Sequence, residues 1–247
     1  MEQRRDSATA YIILADGFET IEALTPLDVL RRCGVEVTTI SLNQTRAVRS
    51  SHGVTVEADA TMEDFMLKRS NAGCGSSASS SSGSINTTNA GSCTSASDTN
   101  TTTAGSSTGA SDTNTTASTS TNVSGTMRQA LILPGGYPGY KNLCESAEVG
   151  ALITQFHKEG KLLCAICGAP TALKANQICR GAAITCHTSV KEELSDYYSI
   201  LSSAVVKYMN IITGMGAGRS IDFAFAIAES LTSKEKVEEI KAKMEII

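Results

Sequence analysis

Between Lys161 and Leu173 the sequence reads Lys-Leu-Leu-Cys-Ala-Ile-Cys-Gly-Ala-Pro-Thr-Ala-Leu, and this stretch restricts the available folds more than any other. Leu162 to Ile166 is an apolar run of strand length. It stops at Cys167, Gly168 and Ala169 follow, and Pro170-Thr-Ala-Leu has the form of a helix with proline in its first turn. Such a turn holds Cys167 out at the carboxyl end of a sheet, among backbone N–H groups and at the positive end of a helix dipole. A thiol there is expected to have a lowered pKa and to exist partly as thiolate at neutral pH. Cys164 and Cys167 also form a C-x-x-C, but a thioredoxin-like pair sits at a helix start, whereas Cys164 lies within the strand run. No second C-x-x-C and no H-x-x-x-H accompanies it, so a metal is not expected.

The rest of the chain alternates in the same way. Tyr11 to Ala15 reads as a buried strand, residues 20–33 as a helix with Pro26 kinking or restarting it, and Val35 to Leu42 as a second strand. Together they make a β-α-β unit with a right-handed crossover. Residues 47–57 suggest a hairpin, and Thr61 caps a short helix to about Leu67. Further strands are expected at Gln129–Leu133, Ala182–Cys186, Ala204–Val206 and Met209–Thr213. Helices are expected from Ser146 to about Glu159, from about Val190 to Leu194, from Ser220 to about Leu231 and from Ser233 onward. His157, at the end of its helix, reads as a partner for the negative end of the dipole. The pattern predicts a doubly wound α/β fold, a mostly parallel sheet with helices on both faces.

Residues 70–126 differ in kind, being almost entirely Ser, Thr, Gly, Asn and Ala. Ala-Ser-Asp-Thr-Asn-Thr-Thr occurs at 96–102 and again at 110–116. Such a segment buries too little apolar surface to offset its ordering entropy and is expected to be a disordered insertion. As a loop it costs only about 2 kcal/mol in closure entropy. The expected organisation is a polar leader over 1–9 and one domain formed by 10–69 and 127–247. The formal net charge of −4 gives no reason to expect nucleic acid as a partner. No apolar run is long enough to span a membrane or serve as a signal segment, so a cytoplasmic protein is expected. Asn86, Asn100, Asn114 and Asn122 match glycosylation sequons without a secretory context. The eight cysteines are irregularly spaced and read as reduced thiols.

Five segments occur in an order that resembles the ThiJ/PfpI superfamily, specifically its DJ-type branch. They are Ala15-Asp-Gly-Phe-Glu-Thr-Ile-Glu-Ala23, Pro26-Leu-Asp-Val-Leu-Arg-Arg32, Leu133-Pro-Gly-Gly136, Ala165-Ile-Cys-Gly-Ala-Pro-Thr-Ala172 and Gly216-Ala-Gly-Arg-Ser-Ile-Asp-Phe-Ala224. The resemblance implies a flavodoxin-like fold, a homodimer, and a nucleophilic, oxidation-prone cysteine at Cys167. It places the family's thiol-bonding glutamate at Glu22 rather than Glu19. It implies that backbone N–H groups of Gly135, Gly136 and Gly168 face a substrate oxygen, and that His187 lies near the pocket. The loop from Gly214 to Gly218 does not fit a dinucleotide fingerprint and reads as a pocket wall. Two departures stand out: His52 occupies a position where many relatives have arginine, and Gly168 occupies one where the protease-like and chaperone-like branches have histidine. The second argues against a peptidase.

The expected activity is that of a cofactor-free glyoxalase III or deglycase acting on small α-oxoaldehydes such as methylglyoxal and glyoxal. Cys167 would add to the aldehyde and Glu22 would move a proton between adjacent carbons. The alternative is a stress-response or chaperone-like dimer in which Cys167 is a redox sensor.

Overall fold

The computed structural model describes residues 8–73 and 128–246. Most of the leader, nearly all of the repeat tract with its sequons, and Ile247 lie outside them. The elements run β1 (Thr9–Leu14), α1 (Thr20–Arg32), β2 (Glu36–Ser41), β3 (Ala47–Arg49), β4 (Thr55–Glu57), β5 (Ala60–Thr61), α2 (Met62–Gly73), β6 (Gln129–Leu133), α3 (Gly139–Glu145), α4 (Ala147–Lys158) and β7 (Leu162–Ile166). They continue with α5 (Pro170–Ala175), β8 (Ala183–Ile184), α6 (Lys191–Ser195), β9 (Ser199–Ile200), β10 (Val205–Tyr208), β11 (Ile211–Gly214), α7 (Ser220–Leu231) and α8 (Lys234–Lys243).

The central sheet has seven strands in the order β10-β11-β7-β6-β1-β2-β5. All neighbours are parallel except the edge pair β10 and β11. Strand side chains alternate between two cores, as a period of two requires. Ile12, Leu14, Ile132, Cys164 and Ile166 pack toward α1, α7 and α8. Ile13, Leu131, Leu133, Leu163 and Ala165 pack toward α2, α4 and α5. This is the doubly wound sandwich expected from the alternation, of the flavodoxin-like kind that the resemblance implies. From β1 the chain moves outward to β2 and later returns to place β6 on the other side of β1. The carboxyl ends of β1 and β6 therefore flank a switch point, where open α/β sheets form their crevices.

Several elements depart from the sequence reading. Pro26 neither restarts nor ends α1, which is continuous around it; its missing N–H removes one helical bond from the carbonyl of Glu22. The helix expected to stop near Leu67 runs on to Gly73, into the start of the polar tract. Arg69 supports the extra turn: its guanidinium lies 5.4 Å from the Phe65 ring centre and donates to Gln155 at 3.0 Å. The strand expected over 182–186 shrinks to Ala183–Ile184, which pairs in parallel with β9 in a separate two-stranded sheet. Buried Thr185 turns away because its N–H donates to the Thr213 hydroxyl at 2.9 Å. The helix α3 is not visible as a sequence pattern, since few of its residues are apolar.

Candidate active site

Three adjacent strands deliver the candidate residues. Cys167 follows β7, Gly135 and Gly136 follow β6, and the turn into α1 follows β1. Cys167 has φ 66°, in the left-handed region that costs a residue with a Cβ about 1–2 kcal/mol. Three backbone bonds hold the strained turn. Cys167 N–H donates to Gly214 at 2.9 Å, Ala169 N–H to Ile166 at 3.1 Å, and His187 N–H to the Cys167 carbonyl at 2.9 Å. Gly168 is packed so closely against Tyr140 that a Cβ would lie 2.7 Å from its ring.

Glu22 is fully buried, one turn into α1. Glu19 caps that helix by accepting from the Glu22 N–H at 2.8 Å, while the Glu19 N–H donates to the Gly135 carbonyl at 2.9 Å. The helix start is thus stitched to the end of β6. Gly135 N–H donates to Glu22 Oε2 at 2.8 Å. Glu22 Oε1 meets no nitrogen or oxygen donor among the described residues, and the Cys167 thiol is the polar group that faces the carboxyl. Burial is the main cause that raises the Glu22 pKa from 4.5 to about 7, with a smaller push from the charge of Glu19.

The thiol does not show the depression expected of an elbow cysteine. It is pushed up to about 12, first by burial, then by the charge of Glu22 and by its hydrogen bond to that carboxyl. Backbone N–H groups of Gly168 and Gly136 work in the opposite direction. The last two upward causes exist only while Glu22 is ionised. If the thiol proton moves to Glu22, the repulsion vanishes and the carboxyl donates to sulfur. Cys167 and Glu22 are therefore a coupled, proton-sharing pair, and at the elbow burial first, then the neighbouring carboxylate, outweighs the backbone N–H groups of the turn.

The expected roles divide accordingly. Gly136 and Gly168 direct N–H groups at the sulfur. The Gly135 N–H does not face a free substrate oxygen, because a buried carboxyl needs a donor and takes this one. Gly135 matters for space instead: a Cβ would lie 2.6 Å from Glu22 Oε2 and 2.7 Å from Cys167 Cβ. His187 reaches Cys167 through its backbone. Its exposed imidazole is bonded to Ser189 at 2.8 Å and stands beside Gly216, not against the thiol. Two contributors were missed in the sequence, Tyr140 and the capping role of Glu19. The spacing of Glu19 and Glu22, N-cap to N3, carries the signal for the latter. His52 sits near the same cap, with Nδ1 3.1 Å from the Ser51 hydroxyl and 3.9 Å from Glu19 Oε1.

A family model described as the DJ-1/PfpI family matches residues 8–72 and 84–230. The chain belongs to the DJ-1/PfpI family. Within it, the DJ-1 branch supplies the similar proteins. Drosophila melanogaster DJ-1beta is 29% identical over 235 residues, 95% of each chain, and the Danio rerio Parkinson disease protein 7 homolog is 28% identical over 237 residues, again 95% of each. A Caenorhabditis elegans protein named glutathione-independent glyoxalase DJR-1.2 is 38% identical over 107 residues, 43% of this chain and 56% of the relative. The crystal structure of Drosophila DJ-1beta superposes with a TM-score of 0.71, covering 98% of this chain and 99% of that one at 28% identity. No helix among the described residues is long and apolar enough to cross a membrane.

Proposed function

We propose that this DJ-1 family protein is a cytoplasmic, cysteine-dependent glyoxalase of the glutathione-independent kind, converting methylglyoxal and glyoxal to hydroxy acids. The observation that supports this most is the proton-sharing pair of Cys167 and Glu22, set beside the N–H groups of Gly136 and Gly168. The name of the nematode relative points the same way. The Glu22 carboxylate takes the thiol proton as the Cys167 sulfur attacks the aldehyde carbon, an S–C bond forms, and the oxygen becomes an alkoxide beside those N–H groups. Glu22 protonates the alkoxide. As a carboxylate with a pKa near 7 it then removes the hydrogen from the first carbon and returns a proton to the second. The result is a 2-hydroxyacyl thioester on Cys167. Water hydrolyses it, releasing lactate or glycolate and the thiol. The first carbon is oxidised and the second reduced, so the sum is addition of one water and no external redox partner is needed. The same addition to sugar-derived carbonyl adducts would give deglycation. His187 is proposed to line the mouth of the site.

Purified protein incubated with methylglyoxal and no glutathione is expected to form lactate, and Cys167→Ala to lower the rate about 100-fold or more. Lactate formation unaffected by that substitution would end the proposal. A redox role for Cys167 draws on one further observation: the thiol is only partly buried, and two N–H donors on sulfur would stabilise a sulfinate equally well.

We also propose a homodimer. Ile21 on α1 is 48% exposed, and Val54 in the β3–β4 hairpin is 45% exposed. The Thr20 hydroxyl bonds the Ser50 hydroxyl at 2.9 Å, so the hairpin is fastened next to this helix and the two apolar side chains share a neighbourhood. Sedimentation should show a dimer that Ile21→Glu shifts toward monomer by about tenfold or more in dissociation constant. A monomeric wild type would refute this.

A further inference from the structure

A second cysteine–histidine contact exists away from the elbow. Cys179 Sγ lies 3.7 Å from His157 Nε2. His157 is in the last turn of α4, which ends at the amino edge of the sheet, and Cys179 is in the loop between α5 and β8. Both belong to the opposite end of the fold from Cys167, and the mechanism above uses neither. His157 Nδ1 is buried and has no hydrogen-bond partner among the described residues, so the thiol is the ring's hydrogen-bonding contact there.

The loop carries backbone strain at this point. Cys179 has φ 46° and Gln177 has φ 56°, both in the left-handed region. Glycine or asparagine adopts that conformation more cheaply, so backbone geometry does not call for cysteine here. The strained position is nevertheless well fixed. Ile178 N–H donates to Leu173 at 3.0 Å, the Tyr198 hydroxyl donates to the Ile178 carbonyl at 2.7 Å, and Ala182 N–H donates to the Cys179 carbonyl at 3.0 Å. Strain held in place beside a paired nucleophile and base is a feature of functional positions.

We propose that Cys179 is a second oxidisable thiol, activated by His157 and modified by small peroxides independently of Cys167. Either imidazole tautomer serves. A bare Nε2 accepts the thiol proton, and a protonated Nε2 donates a hydrogen bond to the thiolate. Sulfur then attacks one peroxide oxygen, an S–O bond forms and the O–O bond breaks. The leaving hydroxide takes the proton released by the thiol, giving a sulfenic acid and water. Sulfur is oxidised by two electrons and the peroxide reduced by two. On the thiol's side lie Tyr198 and Tyr197, with the Arg180 guanidinium 5.5 Å from the Tyr197 ring centre. Burial pushes the Cys179 thiol upward, a cost that the imidazole contact has to offset in this proposal.

Cys144 is the internal control, because it is also partly exposed but faces the Glu145 and Glu193 carboxylates instead of a histidine. The full-length reduced protein would be treated with hydrogen peroxide in the presence of dimedone, and each cysteine followed by peptide-resolved mass spectrometry. Near neutral pH, Cys179 should be trapped about 5-fold faster than Cys144. His157→Gln should abolish the difference without changing the rate at Cys167. Trapping of Cys179 no faster than Cys144 in the wild type, or an unchanged Cys179 rate in His157→Gln, overturns the proposal.

Discussion

Glu22→Gln should cut turnover of methylglyoxal by about 10²–10⁴-fold while making stability less sensitive to a rise from acid to neutral pH. Glutamine keeps the shape, and its carbonyl oxygen can still accept from the Gly135 N–H, so the bond that ties α1 to the end of β6 survives. It cannot take the thiol proton or move one between carbons. The stability effect follows from burial. The folded-state pKa of Glu22 is about 7 against an ordinary 4.5, so between those values the folded chain keeps a proton that the unfolded chain has lost. A raised carboxyl contributes its stabilisation below the lower value and loses it as pH rises through the upper one. Over that window the wild type should lose about 3 kcal/mol, and above it the curve should flatten. Urea denaturation at a series of pH values checks this. The Glu22→Gln profile should be flatter by that amount, and parallel profiles would mean that Glu22 is already ionised in the folded protein.

Much of this site was legible before any coordinates, and the reasons for the gaps are physical. The elbow showed itself because the apolar run to Ile166 and the proline at 170 are local signals, separated by only Cys167, Gly168 and Ala169. The pairing of Glu22 with Cys167 crosses two strands of the sheet and leaves no trace in spacing; it was reached only through resemblance to the family. The ordering of influences on the thiol was misjudged for the same reason. A dipole can be inferred from a helix start, whereas a buried carboxylate in contact depends on three-dimensional packing. Gly135 was assigned to the substrate oxygen through resemblance to the family, which does not reveal where its N–H goes. Only the structure shows Glu22 claiming it. His187 meets the elbow through its backbone, and Ser189 holds its ring, a division that the sequence does not display. Short elements such as α3 and β9 have too few residues to display a period, so burial against neighbours defines them instead of pattern.

Gly136→Ala is expected to destabilise the protein by about 3–5 kcal/mol, a loss large enough to leave little folded protein at ordinary temperature. Two causes add. Its φ is 90°, where any Cβ is strained, and that Cβ would lie 2.3 Å from Glu19 N, 2.4 Å from the Gly17 carbonyl oxygen and 2.5 Å from Phe18 C. These are backbone atoms that cannot swing aside as a side chain can. Moving them would pull the Glu19 N–H away from the Gly135 carbonyl, and with it the helix start that positions Glu22. Gly135→Ala makes a sharp comparison. Its φ is not in the left-handed region, and its close contacts are side-chain atoms of Glu22 and Cys167. It should therefore fold, at a cost of about 1–3 kcal/mol, but wedge the proton-sharing pair apart and lose about 100-fold or more in activity. Thermal denaturation and turnover measured on both variants separate the two glycines. If Gly136→Ala proves as stable as Gly135→Ala, the backbone approach between the ends of β1 and β6 is looser than these distances require, and the rigid seating of Glu22 goes with it.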